Sequence, residues 1–149
     1  MSISFDGNGD YLKLDDVNVF NDASYSNTNY SFSFSCWIKP NGRPTQSACS
    51  TPGNICEGGI LDQYNGTNGQ GRLGLFIISS GKLRLRYHAS YITSSSAHIS
   101  TDTDVWYHLC GWWEYDNRGL YIDNSLVGWS NSNDTLPITP LYSTAGIYS

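Results

Sequence analysis

Glutamate and lysine, the residues that usually furnish exposed helix surfaces, occur only two and three times in this chain of 149 residues. Ser, Asn, Gly, Thr and Tyr are abundant instead, which starves helices and suits strands joined by polar turns. No helical periodicity runs longer than two turns, so the composition reads all-β. Long apolar runs are missing as well. The longest, "LGLFII" at residues 73–78, is far too short to cross a bilayer. Positive charge is scarce: eight Lys and Arg against a net charge of -5, scattered apart from Arg84 and Arg86. No stripe is left to track a phosphate backbone, so neither nucleic acid nor membrane is expected as a partner. Met1 leads almost directly into a strand pattern, so no leader is expected. The length is that of one domain, 1–149.

Four cysteines are too few for a disulfide scaffold in a chain that can bury its own core. The Cys-x-x-Cys spacing of zinc and redox sites is absent. Cys49 and Cys56 bracket "STPGNI" in a Pro- and Gly-rich stretch, where a local disulfide would close a short ring, and that pairing is expected. Cys36 and Cys110 fall inside strand patterns and read as small buried apolar side chains.

What is present is a rhythm of short strands: residues 3–7, 10–14, 30–40, 58–64, 72–79, 82–88, 105–115, 119–123 and 125–130, punctuated by Gly, Asn, Ser and Pro. Phe32, Phe34, Cys36 and Ile38 share one face of their strand, while Ser31, Ser33, Ser35, Trp37 and Lys39 share the other. Leu83, Leu85 and Tyr87 oppose Lys82, Arg84 and Arg86, as a sheet with one wet face requires. "SSG" at 79–81 and "DN" at 123–124 fit hairpin turns, because Gly and Asn tolerate positive φ. Residues 41–59 show no alternation and contain two Pro, which marks an ordered loop insertion of the kind that carries function or contacts.

Four segments, "ISFDGNGDYLKL", "SFSFSCWIKP", "SSGKLRLRY" and "WYHLCGWWEYDNRGLYIDNSLVG", together resemble the laminin G-like members of the concanavalin A-like lectin/glucanase jelly roll superfamily. The resemblance spans about residues 3–128. It implies an antiparallel two-sheet β-sandwich that binds glycans or proteins, sometimes with calcium, and usually without catalysis. In such domains a closing strand returns to pair near the N-terminal strand. Only "LPITPLYSTAGIYS" follows the last hairpin here, "AGIYS" reads as an earlier strand of that pattern, and the closing strand is expected to be missing. An edge left open in this way recruits strands from other chains.

Catalysis is not expected. The superfamily's glucanases place Glu-x-Asp-x-x-Glu on one strand, so that the carboxylates share a face. "EYDNRG" offers Glu114 and Asp116, but Gly119 stands where the last Glu belongs. No Gly-x-Ser-x-Gly occurs. His88, His98 and His108 contain no close pair of the sort metal clusters supply. Asp6, Asn8 and Asp10 alternate through "FDGNGD" with oxygen atoms that suit calcium, against the simpler reading of a β-turn in which they satisfy backbone N–H groups. Calcium is therefore the one cofactor kept open.

The richest stretch chemically is 105–115, which carries Trp106, Trp112 and Trp113. Two alternating sets of aromatics result, and one set must be core. Trp37, Trp112, Trp113, Tyr64 and Trp129 are the candidate ligand-binding residues, for a glycan or a protein. The alternative packs Trp106 and Trp112 inside and leaves Trp113 partly exposed.

Two functions are consistent with these features. One is a structural protein of a phage virion, a capsid decoration or cement protein or a tail component, located on the virion surface with other subunits as partners. Phage proteins with laminin G-like domains often begin as "MSISFDGNGDYL" does. The other is an extracellular carbohydrate-binding module, calcium-assisted or not. The virion reading is the leading expectation and the glycan-binding module its alternative.

Overall fold

A computed structural model describes residues 4, 13–14, 31–41, 57–64, 73–87, 90–100, 104–114, 117–131 and 144–146. Within them lie strands β1 (Lys13–Leu14), β2 (Ser31–Ile38), β3 (Glu57–Tyr64), β4 (Leu73–Ile78), β5 (Leu83–Tyr87), β6 (Ser90–Thr93), β7 (Tyr107–Glu114), β8 (Asn117–Ile122), β9 (Ser125–Ser130) and β10 (Thr144–Gly146). They form two antiparallel sheets, ordered β1-β10-β3-β4-β5-β6 and β2-β7-β8-β9. The expected two-sheet β-sandwich is the fold.

The two-residue period explains the core. Leu75, Ile77, Leu83, Leu85 and Ile92 of the larger sheet meet Leu109, Trp113, Leu120, Ile122 and Val127 of the smaller one. Removing each such side chain from water stabilises the fold by about 1.5–3 kcal/mol before entropy is counted. Phe32, Phe34, Cys36 and Ile38 pack against this cluster from β2, while their serine neighbours face outward. Gly111 lets Phe34 lie across β7, since a Cβ there would come within 2.8 Å of the ring. Phe34 in turn stacks near Phe32, at 6.1 Å between centroids, and Phe32 near Trp113, at 6.4 Å.

Both hairpin turns form where positive φ was expected. Asp123 and Asn124 have φ of 49° and 66° between the paired residues Ile122 and Ser125, which is the two-residue type I′ geometry. Gly81, with φ 76°, closes the turn between β4 and β5, its N–H donating to the Ile78 carbonyl at 2.8 Å.

Four expectations need correction. The closing strand is present: β10 lies between β1 and β3, with Leu14 opposite Ala145 and Ala145 opposite Gln63. Three small residues carry no alternation by which a strand could be read. β6 is likewise an unexpected strand, paired along β5. The insertion at 41–59 ends early, because Glu57–Gly59 already belong to β3 and pair with β4; residues 42–56 lie outside the described residues. Finally, the face of β5 expected to be wet is covered at Arg84, which is 8 % exposed. Its guanidinium lies 4.3 Å from the Tyr91 ring and its Nε donates to Thr93 Oγ1 at 3.1 Å. Phe76, opposite Arg84 on that face, is wholly buried.

Candidate functional site: the outer face of the four-stranded sheet

The strand register decides which aromatic set is core. Trp113 pairs with Phe32 and with Arg118 on the inner face, is 1 % exposed, and carries the Arg118 guanidinium 4.4 Å above its ring. Trp113 is therefore removed from the candidate binding residues. It is the largest fully buried side chain among the described residues. The alternative packing fails too, since Trp106 is exposed and Trp112 points outward, half-buried.

The outward residues of the sheet then fall into rows. Trp37 on β2 stands opposite His108 on β7, with ring centroids 5.0 Å apart and a tilt of 36°. Cys110 stands opposite Tyr121, which stands opposite Leu126. Trp112 stands opposite Gly119, and Gly119 opposite Trp129. The glycine is needed there because a Cβ at Gly119 would overlap the Trp112 indole, meeting its Nε1 first. The Trp112 ring thus lies across β8 toward Trp129. Trp37 and Trp129 are 64 % and 54 % exposed, and Leu126 is exposed beside them. At the far end of β2 and β7 an open depression of about 460 Å³ is bordered by Ser31, Phe32, Ser33, Trp112, Trp113 and Glu114, so it takes in residues of both faces.

Sequence reasoning missed His108, Tyr121 and Leu126 on this face. His108 shares the two-residue parity of Trp112 on β7, Tyr121 joins them only through its pairing with Cys110, and Leu126 joins only because a register shift between β8 and β9 breaks its parity with Trp129, which no single strand shows. Tyr64 belongs to β3, in the other sheet, so it does not join the tryptophans. Asp6, Asn8, Asp10, Cys49, Cys56, His88 and Asp116 lie outside the described residues.

The chemistry of the face is that of rings and hydroxyls. Its described strand positions hold four tryptophan or tyrosine rings, His108, three serines of β2, Asn117 and one carboxylate, Glu114, with no Lys or Arg. Lys39, just beyond β2, sits 3.6 Å from Asp104. No group of three metal-ligating side chains occurs among the described residues. Cys36 and Cys110 are free thiols on neighbouring strands, half-buried rather than fully buried. Cys36 shares the inner face with Leu109 and Cys110 the outer face with Ser35, so their Cβ vectors diverge and they cannot bridge. Burial pushes both thiols above their ordinary range, and the neighbouring Cys110 adds to the shift at Cys36.

A laminin G-type family model, described as the concanavalin A-like lectin/glucanases superfamily, matches residues 6–146. The chain belongs to this superfamily. No curated protein matches it. A lectin-like jelly roll of this kind fits a binding role, and the outer face of β2-β7-β8-β9 displays Trp37 and Trp129 to solvent.

Proposed function

We propose that this jelly roll binds carbohydrate non-covalently on the outer face of its four-stranded sheet and makes or breaks no bond. The observation that carries the reading is the exposure of Trp37 and Trp129 on a sheet whose inner face packs against the buried core. A tryptophan kept in water forgoes stabilisation of about 1.5–3 kcal/mol or more that contact with a ligand would supply. A sugar suits this surface because its C–H face packs on an indole while its hydroxyls meet polar groups at the rim. Ser33, Ser35, His108 and Glu114 are such groups.

The absence of catalysis belongs to the same proposal. Glu114 is exposed at the end of β7, and Gly119, which would supply the last carboxylate of a glucanase strand, instead makes room for Trp112. The virion reading rests on the opening "MSISFDGNGDYL" and the long loop as well as on an expected open sheet edge, and β10 fills only the place of that edge.

Titration calorimetry of the full chain against glycans chosen from an array tests the proposal. Binding that Trp37→Ala or Trp129→Ala weakens, with unchanged melting temperature, supports it. If no sugar binds while the chain decorates a capsid or tail particle, the face serves protein assembly instead.

A further inference from the structure

We infer that the ligand is a neutral glycan chain engaged along its length across Trp37, Trp112 and Trp129, and neither a single sugar nor an acidic polysaccharide. This rests on the carbohydrate reading above and specifies its ligand class.

The first argument is spacing. Trp112 and Trp129 flank Gly119 on adjacent strands, so their backbones stand two strand separations apart, roughly 10 Å. Trp37 is level with His108, four residues along β7 from Trp112 and one strand across, roughly 14 Å away by strand rise and spacing. The Trp112 indole, seated over Gly119, and Trp129 can share one sugar ring, but the gap from Trp112 to Trp37 exceeds one. A monosaccharide therefore reaches one end of the row, whereas a chain of several units reaches all three indoles. The surface between them is low: Gly119 bears no side chain, Tyr121 is half-buried, and the serines of β2 are short. A ligand can therefore lie along the sheet without climbing over a wall, and its ends need not be recognised.

The second argument is charge. The described strand positions of this face carry no Lys or Arg, the nearby Lys39 is beside Asp104, and the chain as a whole is at -5. A uronic or sulfated polysaccharide would meet Glu114 with no cation among the described strand positions of the face to offset it, and would be repelled at long range by the net charge. A neutral chain loses nothing on this account.

Gly119 gives a test that deletes no ring. A larger side chain there must displace the Trp112 indole from its seat over β8 and break the path between Trp112 and Trp129. In calorimetry with the whole chain, a panel of neutral hexasaccharides (β-1,3-glucan, β-1,4-glucan, mannan and xylan), their monosaccharides and polygalacturonate are the probes. At least one neutral hexasaccharide is expected to bind, with its monosaccharide about tenfold or more weaker and with affinity insensitive to salt. Trp112→Ala and Gly119→Val are each expected to weaken the hexasaccharide by about tenfold, while Trp112→Ala keeps the wild-type melting temperature. Should Gly119→Val fail to fold, Trp112→Ala alone decides. The inference is overturned, with the carbohydrate reading intact, if the monosaccharide binds as tightly as the hexasaccharide, if polygalacturonate binds best, or if Trp112→Ala changes nothing. Failure of every probe overturns both.

Discussion

Trp112 and Trp113 are adjacent in the chain and opposite in role, because a strand sends successive side chains to opposite faces. Trp113 fills the interior beneath Phe32 and Arg118, so truncating it removes a large apolar volume and strands a buried cation without its ring. Trp113→Ala is expected to cost about 3–5 kcal/mol in urea denaturation. Trp112→Ala, on the outer face, is expected to cost less than about 1 kcal/mol and to act on glycan affinity instead. Equal losses of stability from the two would contradict the assignment of faces. The thiols supply a pH-dependent counterpart. Because burial raises both, the native state holds these protons more tightly than the unfolded chain does. Their contribution is whole below the ordinary thiol value of 9.0 and is lost as pH climbs through the raised values. Urea midpoints measured from pH 9.0 up through the raised native values are therefore expected to fall less steeply with pH in Cys36→Ala than in wild type, and parallel curves would refute the shift.

At the scale of elements, the hairpin between β8 and β9 holds the rows of the face in register. Asp123 does two things there: it adopts positive φ, and its carboxylate accepts the His108 N–H at 2.8 Å while its own N–H donates to the His108 carbonyl at 2.9 Å. Through that pair the turn is fastened to the start of β7, beside the Trp37 and His108 rings. Asn124→Val places a β-branched residue in left-handed backbone and is expected to cost about 1–2 kcal/mol, whereas Asn124→Gly relieves the strain and should leave the thermal midpoint at or above wild type. The turn could be read from "DN" because only a few residues tolerate that backbone. β2 could be read because serine alternates with Phe, Cys and Ile, and Trp37 could be put on the serine face for the same reason. β7 was harder: both of its faces are rich in apolar side chains, and only its register against Phe32 and Arg118 shows Trp113 to be inside. Tyr64 looked like a member of the platform because proximity between strands 27 residues apart is a matter of topology, which no local pattern encodes. Arg84 misled for a related reason, since alternation reports which side a residue takes and not whether that side is later covered.

For the whole molecule, the decisive element is the shortest but one. β10 contributes three residues, yet it is flanked on both sides and joins β1 to β3. Proline at Ala145 would delete a backbone donor and press its ring against a neighbouring strand, which a strand paired on both sides cannot accommodate. Ala145→Pro is expected to cost about 3 kcal/mol or more and to leave β3 with unpaired N–H and C=O groups along one edge. Such an edge pairs with other copies, so sedimentation velocity should show the variant associating more strongly with concentration than the wild type does, while Trp37, Trp112 and Trp129 on the other sheet keep their affinity for a neutral hexasaccharide in the fraction that stays monomeric. A variant as stable and as monomeric as the wild type would mean that β10 does not close the sheet. Loss of glycan affinity in the folded monomer would mean that the binding face depends on the larger sheet as well, which the separation of the two sheets by a filled core argues against.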